Sequence, residues 1–302
     1  MKKLMFVAAA VAAGVAVADV TSANVVGYTK DMLPGSNKYK PVCSQFLKIG
    51  STDGQEMTLA ELTPNIADSG STHWVKADTI KVVSTGGAVD FTAKYYRWSD
   101  LTTTQKRELF GDDEASFREG WYKCENKTGF PITAECVNTY PLAFGTAVMA
   151  LSSKSAATIQ SNGEVYESET GFVVLALPGS NKYRFIGNCT PNDLTLADFE
   201  PNIADSGTTH WVKADSIKII STGGAIDYTA KYYRWSDLTT TQKRELFSDD
   251  EANFTTGWYK CENKTGFPIT SECVNAYEVP AGSGFLAISS KSAATIKFPS
   301  AL

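Results

Sequence analysis

The chain has 302 residues, with 28 lysines and arginines against 33 aspartates and glutamates, two histidines and six cysteines. A net charge of −5 with no basic stripe argues against nucleic acid as a partner, because that affinity comes mostly from neutralising phosphates. With two histidines and no CxxC pair, a zinc centre has too few ligands to draw on, and no cofactor is expected.

The first residues, MKKLMFVAAAVAAGVAVADV, place Lys2 and Lys3 before an apolar run from Leu4 to Val17. Ala16-Val17-Ala18 before Asp19 has the small-residue form that signal peptidase cuts, so residues 1–18 read as an export signal outside the fold. Without its two lysines the mature chain carries −7. No later stretch approaches the roughly 18 apolar residues of a membrane helix. The expectation is an exported protein without a transmembrane segment, resident outside the cell, on its surface or in a periplasm.

Most of the remaining chain is written twice. VGYTKDMLPGSNKY at Val26–Tyr39 aligns with TGFVVLALPGSNKY at Thr170–Tyr183, and Pro64–Val137 recurs almost unchanged as Pro201–Val274. Ala150–Ile159 returns as Ala287–Ile296. A period this long makes each copy a whole domain, predicted at 19–163 and 164–302, each with its own core. KPVCSQFLKIGSTDGQEMTLAEL in the first copy is replaced by the shorter RFIGNCTPNDLTLADF in the second, which marks a surface loop. Because the whole domain is copied, identity between the copies does not mark a site.

Within each copy the apolar period is mostly two. Thr58 and Glu61 have capping-box spacing for a single helical turn before Pro64. Next comes a hairpin: a strand over Thr79–Ser84, a turn at Gly86-Gly87, and a return strand over Val89–Trp98. The return strand puts Val89, Phe91, Ala93 and Tyr95 on one face, predicted to be the core, and Asp90, Thr92, Lys94, Tyr96 and Trp98 on the other. Substitutions between copies keep shape on the core side, where Val82 and Val89 become Ile219 and Ile226. Thr102–Phe110 reads as a second short helix, and Trp121–Tyr140 as a second hairpin. The predicted class is all-β: two tandem duplicated sandwich or jelly-roll-like domains with short helical turns.

Six cysteines in an exported chain favour disulfides over thiol chemistry. Cys124 and Cys136 are placed to face each other across the second hairpin, and Cys261 and Cys273 repeat them. Cys43 and Cys189 remain, one per domain, either bonded across the domain interface or each free.

The order of these elements resembles a group of exported bacterial β-repeat proteins of unknown function. The resemblance rests on SANVVGY at Ser22–Tyr28, the LPG, TLADF, YYRW and GWY segments, and the closing PAGSGFLAISSKSAATIKF of the second copy. The first copy departs from the closing motif, with Ala147-Val148 where Gly284-Phe285 stand in the second. The resemblance implies secretion and β architecture, and no reaction.

Three sets of residues carry chemistry worth testing. Asp68, Ser69 and His73, with Asp205, Ser206 and His210, have the ingredients of a hydrolase triad, but a triad converges from separate elements and these sit in one turn without a G-x-S-x-G elbow. They read instead as turn caps beside Trp74 and Trp211. Asp112, Asp113 and Glu114, with Asp249, Asp250 and Glu251, are weak calcium candidates that lack EF-hand alternation. Tyr96 and Trp98, with Tyr233 and Trp235, are candidate ligand-binding aromatics if their strand face is open, since two adjacent rings can stack on a sugar. The leading expectation is a non-enzymatic structural, cell-surface or interaction protein whose partner is a surface glycan or protein. Carbohydrate binding through those rings comes second, and a secreted hydrolase third.

Overall fold

The computed structural model describes residues 26–33, 38–43, 45–47, 56–65, 79–83, 89–127, 131–152, 157–166, 168, 170–177, 182–202, 216–220, 225–264, 268–289 and 294–300. The predicted export signal, the turn at Gly86-Gly87, and the two segments carrying Asp68, Ser69, His73, Asp205, Ser206 and His210 lie outside the described residues.

Strands dominate, as the period-two pattern requires. The first copy runs β1 (Val26–Leu33), β2 (Lys38–Cys43), β3 (Phe46–Leu47), β4 (Met57–Thr58), β5 (Thr63–Asn65), β6 (Thr79–Val83), β7 (Val89–Tyr96), α1 (Thr103–Phe110), β8 (Gly120–Cys124), β9 (Ile132–Cys136), β10 (Pro141–Leu142), β11 (Ala147–Ser152) and β12 (Ala157–Val165). The second runs β13 (Phe172–Leu177), β14 (Lys182–Gly187), β15 (Leu194–Thr195), β16 (Glu200–Asn202), β17 (Ser216–Ile220), β18 (Ile226–Tyr233), α2 (Thr240–Phe247), β19 (Gly257–Cys261), β20 (Ile269–Cys273), β21 (Glu278–Val279), β22 (Gly284–Ser289) and β23 (Ala294–Pro299). Because β12 continues to Val165, the boundary expected after residue 163 falls inside the closing strand of the first copy.

Each copy holds a six-stranded antiparallel sheet, ordered β2-β11-β6-β7-β8-β9 in the first and β14-β22-β17-β18-β19-β20 in the second. A smaller sheet accompanies each, β1-β12-β3 with β5 also on β12, and β13-β23-β16. The core of the first copy draws Leu33 and Ile159 from the smaller sheet and Ile80, Phe91, Ala93, Tyr95, Trp121 and Val148 from the larger one. Both predicted hairpins form, with Ile80 opposite Ala93 and Tyr122 opposite Cys136. The capping residues act as read: Thr58 and Glu61 cap a single 3-10 turn, and Thr102 caps α1 by accepting from the Gln105 amide at 3.2 Å.

The predicted core face of β7 is buried, but so is most of its other face. Tyr96 is 1 % exposed and packs with Leu101, Phe110, Tyr122, Cys124 and Ile132 in a second apolar cluster under α1. Tyr233, Leu238, Phe247, Tyr259, Cys261 and Ile269 repeat it under α2. An alternating strand is a reliable sign of one packed face. It does not reveal that the helix following it folds back to cover the second.

The core of the second copy reaches into the first. The large cluster of the second copy includes Cys43, Ala147 and Met149 of the first. Among the described residues two backbone bonds join the copies: the Cys43 amide donates to the Gly282 carbonyl at 2.8 Å, and the Gly187 amide donates to the Gly145 carbonyl at 3.0 Å. By register Cys43 and Gly187 occupy the same position in β2 and β14, opposite Ala147 and Gly284. The one contact is therefore made twice, in opposite directions. A Cβ on Gly187 would stand 2.5 Å from the Cys43 Sγ, so this close approach needs glycine.

Candidate functional site

A cleft of about 480 Å³ opens where the copies meet. Its first-copy wall is Glu56, Val82, Tyr140–Ala143 and Thr146–Val148, and its second-copy wall is Ala176 and Tyr183–Phe185. The wall is mostly apolar, the usual character of a small-molecule site. Tyr140 is braced edge-to-face on Phe91 at 5.0 Å, and the Lys218 ammonium lies 4.6 Å above the Tyr183 ring. Arg184 is the cleft's cation. One of its guanidinium nitrogens donates to the Ala176 carbonyl at 2.8 Å, and burial lowers its pKa from the ordinary value, an effect the Glu56 carboxylate partly opposes.

The aromatic residues singled out in the sequence are placed elsewhere and do not form a platform. The strand ends at Tyr96, so Trp98 stands in a 3-10 turn instead of on the strand face. Trp98 is half-buried against Phe110 and Phe117, with the Lys106 ammonium 4.8 Å from its ring. Tyr96 is sealed beneath α1, and burial lifts its hydroxyl well above the ordinary tyrosine value. Tyr233 and Trp235 repeat both arrangements. No open face remains on which these two rings can stack a sugar together.

The acidic loops are also structural. Asp113 caps a 3-10 turn, accepting from the Ala115 amide at 3.0 Å and the Ser116 hydroxyl at 2.7 Å, and Asp250 accepts from the Ala252 amide at 3.0 Å. Asp112 and Asp249 hold positive φ angles at the helix exits. Neither these acids with Glu114 and Glu251, nor any other described residues, group three or more ligands around a metal position.

None of the six cysteines is in a disulfide. The expected Cys124–Cys136 and Cys261–Cys273 bonds are absent because the hairpin register sets Cys136 opposite Tyr122 and Cys273 opposite Tyr259, while Cys124 and Cys261 pair with Ile132 and Ile269. Burial raises Cys124 and Cys261 to about 11, against the pull of Lys94 and Lys231, so neither is a thiolate at neutral pH. Mild oxidation of the folded protein is expected to leave Cys124 and Cys136 unlinked, and peptide mapping after alkylation without reductant checks this. A Cys124–Cys136 peptide pair would contradict the register.

Cys43 and Cys189 are another matter. Both are buried at the junction of the copies, and their side chains hydrogen-bond to each other. Desolvation, and then the neighbouring thiol, raise Cys43 well above its ordinary value. The sequence named these two cysteines but not the cleft beside them. Its only signal was the arginine at 184 where the first copy has Lys40, read there as part of a variable loop.

No protein family, curated protein or solved structure matches the chain.

Proposed function

We propose that this chain is an exported, non-enzymatic interaction protein built from two sandwich-like β-domains, and that the cleft between them receives its ligand. The observation that carries the reading is the cleft itself, assembled from both copies and lined mostly by apolar side chains. Among the described residues it contains no nucleophile held by a base: those lining it that titrate are Glu56, Tyr140, Tyr183 and Arg184. A hydrolytic site needs such a pair, or two carboxylates flanking the scissile bond. The likeness to exported β-repeat proteins supports secretion. The outer faces of the first strands add exposed apolar side chains, Tyr28 and Met32 on β1 and Phe172 and Val174 on β13, suited to protein contact at a cell surface.

Incubating the mature protein with chromogenic esters, glycosides and phosphates is expected to give no turnover above buffer. A thermal-shift screen of small organic molecules is expected to yield stabilising ligands, since anything bound only by the native state raises its melting temperature. Turnover that disappears on substituting a cleft residue would overturn the reading.

A further inference from the structure

The duplication supplies an internal control for the cleft. In the first copy Lys40 of β2 is neutralised by Asp31 of β1, with Nζ 3.0 Å from Oδ1. At the matching positions the second copy has Arg184 on β14 and Leu175 on β13, and Leu175 is buried. The match extends to the other copy, because Gly282 abuts Asp31 and its counterpart Gly145 abuts Leu175. The second copy thus keeps a cation and replaces its carboxylate by a hydrocarbon. Among the described residues, no carboxylate forms an ion pair with Arg184.

We propose that the cleft between the copies binds a small organic monocarboxylate with an apolar body, its carboxylate pairing with Arg184 from the cleft side. A guanidinium presents paired donors that match a carboxylate, and its one bond to the Ala176 carbonyl leaves others to give. The apolar body lies along Tyr140, Leu142, Val148 and Phe185. Glu56 in the same wall offsets part of the arginine charge without pairing with it, which disfavours a dianion such as a phosphate ester more than a single carboxylate. The assignment rests on reading the protein as a ligand-binding module.

Calorimetric titration of the mature two-copy protein with decanoate and 1-naphthoate, beside decanol and 1-naphthalenemethanol, tests it. The carboxylates are expected to bind more tightly than the alcohols. Arg184→Gln is expected to weaken carboxylate binding by about tenfold to a hundredfold and leave the alcohols unchanged, with Arg184→Lys between. Ala176→Trp, at an exposed position in the wall, is expected to weaken both classes. Equal affinity for acids and alcohols, or an equal loss of both in Arg184→Gln, would overturn the role of Arg184 and leave the cleft as a binding site. Binding indifferent to Ala176→Trp would place the ligand elsewhere, and binding of neither class at millimolar concentration would remove the cleft reading itself.

Discussion

Trp121→Ala is expected to lower the free energy of unfolding by about 3–5 kcal/mol, and Trp258→Ala by a similar amount. Each indole is 1 % exposed and sits where the six-stranded sheet meets the turn that precedes the long hairpin. Trp121 Nε1 donates to the Leu62 carbonyl at 2.9 Å, and Trp258 Nε1 donates to the Phe199 carbonyl at 2.9 Å. Tyr95 and Tyr232 lean edge-on against the two rings at 5.3 Å. Alanine therefore leaves both a cavity and a buried carbonyl without its donor, two costs that add. Trp→Phe restores most of the volume but not the donor and should recover roughly half the loss. Urea unfolding of the four variants measures this, and a loss below about 1 kcal/mol for Trp121→Ala would contradict the packing described.

Refolding under a glutathione redox buffer is expected to join Cys43 to Cys189. The two thiols give up two protons and two electrons to glutathione disulfide, which leaves as two glutathione thiols. Linking residues so far apart should stabilise the native state by about 3–5 kcal/mol in the chain-entropy model. The raised Cys43 value makes the reaction slow once the protein is folded, so the bond should form during folding and resist reductant afterwards. Peptide mapping identifies the link, and melting curves with and without reductant measure its effect. Cys189→Ser should remove both the link and the difference. A protein that refolds under oxidant with Cys43 and Cys189 both alkylatable would refute the pairing.

The all-β class, both hairpins, the capped turns and the core face of β7 were legible because each depends on neighbours within a few residues. Val89–Tyr95 announces its packed side by alternation alone. What lay hidden was decided by distant residues. Nothing near Tyr96 says that Phe110, fourteen residues on at the end of α1, will close over it, so the ring looked available when it is buried. The hairpin's cysteines looked opposed by counting, but the register shifts between Tyr122 and Cys124, and that irregularity separates them. The cleft was invisible for a related reason: its two walls come from different copies, and duplication drew attention to what the copies share. The informative positions were the ones that had changed, Asp31 to Leu175 and Lys40 to Arg184.

The reciprocal amide bonds at Cys43 and Gly187 have the form of an isologous dimer contact, each half offering the other the same patch. Carried on one polypeptide, that contact no longer depends on protein concentration, since the partner is tethered at a high local concentration. Tethering also releases a constraint that true dimers obey. In a homodimer every substitution at the interface occurs on both sides of the axis, so removing the acid beside one cation removes it beside both. A tandem chain can keep the ion pair on one side, where it ties β1 to β2, and uncover the cation on the other, where it faces the cleft. Fusion here is the condition for one symmetric contact to become two different surfaces.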